Sequence, residues 1–452
     1  MSAAAPTDAP REHHPLFRRR RFANWLPLGL TYATMYMGRY NFNVVKGDLG
    51  SMFHLDKVEM GWIFTAGTWT YALAVIFNGP LADRLGGRKG ILFGAAGAAL
   101  MNLVLGLLFL NGWQTKMLLG LSLMYSANMY FQSFGALSVV KVNAAWFHVR
   151  ERGIFGAVFG IMISSGYWLA MTLGGWILAH YAWYMVFLVP SAAILVMVVI
   201  DSLLVRDRPS HAGHDDFDTG DASSGDETPV NMAYLFKRVF TNPVILTIAA
   251  AEFCTGFVRQ GVLLYFVEYL KEVHHVMPSK SWSTMFYFAS TGITVGGILG
   301  GFLCGFMSDK LFQSRRAPVA VIMYACQVLA LIGLGLAPSK LMASIMIGVT
   351  CMFIFGVHGM LTGAASMDFG GRKAAASAAG LLDGIQYIAA GLTGFGLGYI
   401  LKHYGWDGTP ASPTHQPQNG IVWVASIIPF SIIGGLLMSR LWNATPRKGG
   451  SH

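Results

Sequence analysis

Two arginines sit where a charged side chain is costly. Arg39, in "YMGRYNF" (36–42), and Arg259, in "GFVRQGV" (256–262), each interrupt a long, largely apolar run. A guanidinium in hydrocarbon costs about 2.5 to 3.5 kcal/mol on insertion scales, so each needs water and an anion, or a carboxylate partner within the bundle. The planar fork of arginine binds phosphate or carboxylate oxygens bidentately and keeps its proton. A phosphate monoester, of charge near −1.5 to −2 at neutral pH, suits two such groups. Tyr32 and Tyr36 lie seven and three residues before Arg39, on its face of a helix. Glu252 lies two turns before Arg259 on the same face, and Asp383 falls inside a later apolar run. Both are candidates for proton coupling or for an ion pair with an arginine, and a lone His358 is expected to be a satisfied core histidine.

The elements that must position these groups are membrane helices. Hydrophobic residues make up 54% of the chain and charged residues only 12%, with mean hydropathy +0.50, which excludes an ordinary soluble domain. Apolar runs long enough to span a bilayer occur near 23–45, 58–80, 90–112, 116–139, 152–178, 183–205, 242–268, 282–307, 317–337, 340–364, 374–401 and 419–442. The expected fold class is an all-α membrane protein with twelve transmembrane helices in two six-helix bundles. Most of the 32 Lys and Arg fall on one side if the N-terminus is inside, Arg18 to Arg21 among them. Positive charge is retained in cytoplasmic loops, so both termini are expected there, in a cell inner (plasma) membrane. The net charge of +10 reads as topology and contact with anionic lipid rather than with nucleic acid. The four cysteines lie in spans without paired spacing, which argues against disulfides and zinc. The predicted organisation is an N-terminal tail (1–22), a first bundle (23–205), a polar linker (206–241), a second bundle (242–442) and a C-terminal tail (443–452). Within the linker, "YLFKRVF" reads either as a short interfacial helix or as plain linker.

An internal repeat supports the two bundles. "GPLADRLGGRK", from Gly79, and "GFMSDKLFQSRR", from Gly305, share G-x-x-x-D-[RK]-L and a basic pair, 226 residues apart. Arg39 and Arg259 are 220 apart, hence repeat-equivalent and at matching depth. Asp83 and Asp309 are expected to cap helix N-termini, with Arg84, Arg88, Lys310 and Arg315 meeting helix C-termini or lipid phosphate, as a latch between rocking halves.

These loops resemble the signature loops of the major facilitator superfamily, across essentially the whole chain. Within it, "YMGRYNF" and "GFVRQGVLLYFVEYLKEV" (256–273) resemble the first- and seventh-helix arginine segments of the organophosphate:phosphate antiporters. "WFHVRERG" (146–153), "MSDKLF" (307–312) and "HYGWDG" (403–408) add to the likeness. The resemblance implies that Arg39 and Arg259 bind the substrate phosphate, with Tyr32, Tyr36, Tyr387 and Gln132 around it. The chain also departs from that pattern. Where glycerol-phosphate carriers have a second-helix lysine and a fifth-helix histidine, it has Val75 and Ile163, and Ser290 stands where an eighth-helix glutamate is usual.

The expected function is exchange of glycerol 3-phosphate, a sugar phosphate or phosphoglycerate for inorganic phosphate by alternating access. Closing an empty site brings two cations together at low dielectric, and a bound dianion relieves that cost. The alternatives are a proton-coupled carrier of another organic anion and a transporter-like sugar-phosphate sensor. No G-x-x-x-x-G-K-[ST], H-E-x-x-H or nucleophile elbow occurs, so no enzyme activity and no cofactor is expected. The chain is taken as a monomer whose partners are the organophosphate, inorganic phosphate and the lipid bilayer.

Overall fold

The computed structural model describes residues 14–147, 152–217, 241–276, 284–312, 315–361, 366–410 and 415–443. Its regular elements are helices, and no strand occurs among the described residues. In chain order they are α1 Pro15–Met52, α2 Lys57–Leu85, α3 Gly87–Leu110, α4 Met117–Gln132, α5 Phe134–Trp146, α6 Arg152–His180, α7 Met185–Leu204, α8 Pro243–Glu272, α9 Thr284–Phe306, α10 Arg316–Gly335, α11 Lys340–His358, α12 Ser366–Tyr404 and α13 Ile421–Ser439. α4 and α5 are two pieces of one helical run, interrupted at Ser133, so twelve such runs occur among the described residues. The "YLFKRVF" segment lies outside the described residues.

Helix is dictated by the solvent: in hydrocarbon every backbone N–H and C=O must be satisfied within its own segment. Among the described residues seven helices, α3 and α13 among them, are long and apolar enough to cross a membrane. α1 and α8 fall short of that measure, and both carry buried charge. Large apolar side chains such as Phe77, Val140 and Leu329 are about 70% exposed, while Asn, Gln, Glu and Arg are buried, the reverse of a soluble protein. This is a multi-pass membrane protein. α1 and α12 run well past the apolar stretches at 23–45 and 374–401. Helical hydrogen bonding continues beyond the apolar slab, where charged residues reach the interface.

The two sets of helices meet along α1 with α8, α2 with α12, and α6 with α9. Glycine permits the closest approach: a Cβ on Gly61 of α2 would lie 2.5 Å from the carbonyl carbon of Gly394 in α12. Among the described residues, the ion pairs that join the sets lie at the end of the bundle distal to the chain termini. They are Lys46–Glu268 (3.4 Å), Asp48–Lys271 (2.7 Å), Lys57–Glu272 (2.6 Å) and Asp56–Lys402 (2.7 Å). The sequence reading put Lys46 outside the first span, yet it is buried, with its ammonium 3.6 Å from the centre of the Tyr265 ring. Asp56 also starts α2. Its Oδ1 accepts from Val58 N and Glu59 N, while Glu59 Oε2 accepts from Asp56 N, a reciprocal capping box.

Candidate functional site

The arginine of α1 is placed by packing around Gly38. A Cβ there would lie 2.9 Å from the Asn102 amide nitrogen, so the glycine leaves room for that side chain to reach the turn. The Gly38 carbonyl accepts from Asn102 Nδ2 (3.1 Å) and Asn128 Nδ2 (2.9 Å), and Asn41 Nδ2 donates to Asn102 Oδ1 (2.7 Å). Two helices, α3 and α4, are thereby tied to the turn of α1 that carries Arg39. On α8, a Cβ on Gly256 would lie 2.7 Å from Cγ of Gln386, so its absence lets α12 come close. That approach sets Tyr387 beside Arg259.

Tyr387 links the pair. Its ring centre is 5.3 Å from the guanidinium carbon of Arg39 and 5.3 Å from that of Arg259. Arg39 also faces Tyr71 (4.0 Å), Tyr40 (5.5 Å) and Tyr36 (5.6 Å), so four electron-rich rings surround one cation. The rings touch one another as well, Tyr71 against Tyr387 at 4.7 Å and Tyr40 against Tyr167 at 4.9 Å.

These rings wall a cavity of about 290 Å³ between the two sets of helices. Arg259, His358, Asp383, Tyr32, Tyr36 and Tyr387 line it, together with Tyr40, Tyr71 and Tyr167. Arg39 does not line it: only 2% exposed, it lies one ring behind the wall. Aromatic faces stabilise both cations, but their donors are not consumed. Nη1 of Arg39 and Nε and Nη2 of Arg259 are buried without a hydrogen-bond acceptor among the described residues. Buried donors are ordinarily paired, so this set is suited to an oxyanion that rotates Tyr387 or Tyr71 aside.

The remaining expectations divide. Gln132 is fully buried and outside the lining. Its amide donates to Met35 O (2.9 Å), one turn before Arg39, so it supports α1 rather than facing the cavity. Glu252 is also fully buried and outside the lining, 3.5 Å from Nδ1 of His358. His358 is not the core histidine expected: it lines the cavity and its Nε2 is 3.3 Å from Nη1 of Arg259. Arg259 and Glu252 are 99 and 106 positions away from it in the chain, a proximity no local pattern encodes. Ser290 faces Thr172 Oγ1 (3.3 Å) between α9 and α6, Val75 is half-buried against apolar neighbours, and the side chain of Ile163 lies outside the described residues.

Of the loop residues whose side chains are described, Arg88 and Arg315 bond within their own set of helices. Arg88 donates its N–H to Asp207 (2.7 Å) and Nη2 to Ser202 O (2.6 Å), within the first set of helices. Arg315 Nε donates locally to Phe312 O (3.3 Å), and Lys310 and Gly305 are exposed. The side chains of Asp83, Arg84 and Asp309 lie outside the described residues, and Gly79 is placed only as backbone of α2.

Comparison with known proteins follows this geometry. The family model of the Major Facilitator Superfamily matches residues 28–395. A glycerol-3-phosphate transporter of Bacillus subtilis (strain 168) is 27% identical over 407 residues, covering 87% of this chain and 88% of its own. The membrane sensor protein UhpC of Escherichia coli (strain K12) is 26% identical over 425 residues, covering 89% and 92%. Among solved structures, a bacterial homolog of the human lysosomal transporter Spinster, inward-facing and unoccupied, superposes with TM-score 0.73 at 17% identity over 97% of this chain and 100% of that one.

Proposed function

Because the chain belongs to the Major Facilitator Superfamily, we propose that it is a secondary active transporter of phosphorylated organic anions. Its substrates are of the glycerol 3-phosphate, sugar phosphate or phosphoglycerate class, exchanged for inorganic phosphate by alternating access. It acts as a monomer without enzymatic activity in the cell inner membrane. The termini and the linker are cytoplasmic, and residues 23–205 and 242–442 form the two moving halves. The distal end is then the external face. With four ion pairs across it, the cavity is closed to the outside.

One observation carries this reading: repeat-equivalent arginines flank a single ring of the cavity wall, and Nη1 of Arg39 and Nε and Nη2 of Arg259 have no acceptor among the described residues. A dianion drawn between them satisfies these donors and offsets their mutual repulsion. An empty carrier must instead bring both cations through the doubly closed state without that dianion, at low dielectric. Loaded, it crosses; empty, it stays. That asymmetry is what exchange requires. The sensor reading draws on the 26% identity to a membrane sensor protein.

The test is counterflow in vesicles loaded with labelled phosphate. External phosphate, glycerol 3-phosphate, hexose phosphate or phosphoglycerate should drive label out, and omission of all of them should stop it. Ligand binding without flux would mark a sensor. Uptake driven by a pH gradient in phosphate-free vesicles would mark a proton-coupled carrier.

A further inference from the structure

We propose that His358 is a ligand for the phosphoryl group and that binding of the dianion takes one proton onto its Nε2. The inference rests on the anion-binding reading above and adds a proton to it. It starts from hydrogen-bond polarity. A guanidinium offers donors only, so Nε2 of His358, 3.3 Å from Nη1 of Arg259, is the acceptor. The ring proton therefore sits on Nδ1, as a neutral tautomer. Nδ1 is 2.7 Å from the Gln386 amide, and an N–H there requires the amide oxygen. Turning the amide supplies that oxygen and also satisfies Oε1 of Gln386, otherwise buried without a partner. Beyond Nδ1 lies Oε2 of Glu252 at 3.5 Å, fully buried.

In this arrangement Arg259 occupies the Nε2 lone pair only while its fork is turned to the ring. An entering phosphate recruits that fork. His358 lines the cavity with its side chain 21% exposed, so the released Nε2 faces the same anion. It takes a proton and donates it back as a hydrogen bond. With a dianionic ester the proton comes from water. With a monoanionic ester the O–H bond of its P–OH group breaks, the N–H bond forms, and the ester is held as the dianion. The carboxylate of Glu252 behind Nδ1 balances the imidazolium.

The ionisable groups around the ring fit this role. α8 contributes Arg259 and Glu252, and α12 contributes Asp383 and Tyr387 from the same cavity wall. α10 contributes Tyr324, which bonds Thr255 and Ala251 on the Glu252 side. α9 brings Thr294 and Gly297 to the cavity and Cys304 near Gly356, two residues before His358.

The test is calorimetry of glycerol 3-phosphate binding to the purified full chain at pH 7 and pH 8, in buffers of different ionisation enthalpy. The free ester is already mostly dianionic there, its second ionisation being near 6. Linkage of one proton predicts dissociation constants about tenfold lower at pH 7 and near one proton taken up. Sulfate, which holds no proton at these pH values, should show the same slope. His358→Gln should bind with no pH slope and no proton uptake, and Glu252→Gln should take up markedly less than one proton. A pH-independent wild type, or full proton uptake in folded His358→Gln, overturns the proposal. If His358→Gln does not fold, wild type and Glu252→Gln decide it. No binding at either pH overturns instead the anion-carrier reading on which it rests.

Discussion

Gly61→Ala should open the distal end of the bundle. A Cβ at Gly61 falls on the Gly394 carbonyl of the opposite half, with its carbon 2.5 Å away, where ordinary contact begins at 3.4 Å. The helices must therefore part by about 0.9 Å (3.4 less 2.5), or the backbones must distort. Overpacking of this kind costs about 1 to 3 kcal/mol. The two residues touch only while the distal end is closed, so that cost falls on one conformer. At 1.4 kcal/mol per tenfold, the closed population drops about 5- to 140-fold relative to the open one. Spin labels at Ser51 and His403, exposed at the ends of α1 and α12, read the separation by pulsed dipolar spectroscopy, with Cys326 replaced. The expected result is a new population at longer distance, with exchange slowed. Gly301→Ala is the control, since nothing lies within 4 Å of its added methyl. An unchanged distance distribution in a folded Gly61→Ala would refute the assignment of this crossing as the moving contact.

The ion pairs should not contribute equally. Lys46→Met strands the carboxylate of Glu268 in a buried site and should cost the closed form about 3 to 5 kcal/mol, whereas Lys402→Ala removes an exposed, solvent-screened pair and should leave the closed form nearly unchanged; thermal unfolding and the same distance measurement compare them. Burial alone would raise the Asp56 carboxyl, but the Lys402 ammonium and the N–H groups of Glu59 and Val58 hold it below its ordinary value near 3.8. Its contribution is thus complete above that pH and disappears only as pH falls through the lowered value, so the label separation should not change between pH 5 and 8. Arg39→Lys and Arg259→Lys should each lose most counterflow with folding and insertion intact, because a point charge cannot replace the fork; full exchange in either would remove that arginine from the site.

Much of the framework was legible in the sequence because bilayer thickness sets helix length, and a charge inside such a run stands out. Arg39, Arg259, Tyr32, Tyr36 and Tyr387 could be named for that reason and by family likeness. Tyr40, Tyr71 and Tyr167 could not. In a membrane helix the lipid-facing side is as apolar as the core, so no polar face marks the inward side. Lys46 was missed because helix α1 carries it past the apolar run and the fold then covers it. His358 was misjudged because its partners arrive from α8 and α12. The interrupted crossing at Ser133, where Asn78 Nδ2 donates to Oγ (2.7 Å), likewise depends on a helix 55 positions earlier.

The amide knot at Gly38 has a consequence for motion. Asn41, Asn102 and Asn128 sit where no water can stand in for a lost partner, so exchanging one contact for another would leave polar groups stranded in hydrocarbon. That block must then travel whole, and Arg39 keeps its bearing on α3 and α4 throughout turnover. Amide hydrogens around Gly38 should stay protected from exchange with deuterium even while the carrier cycles, with loosening confined to the seam where the halves slide.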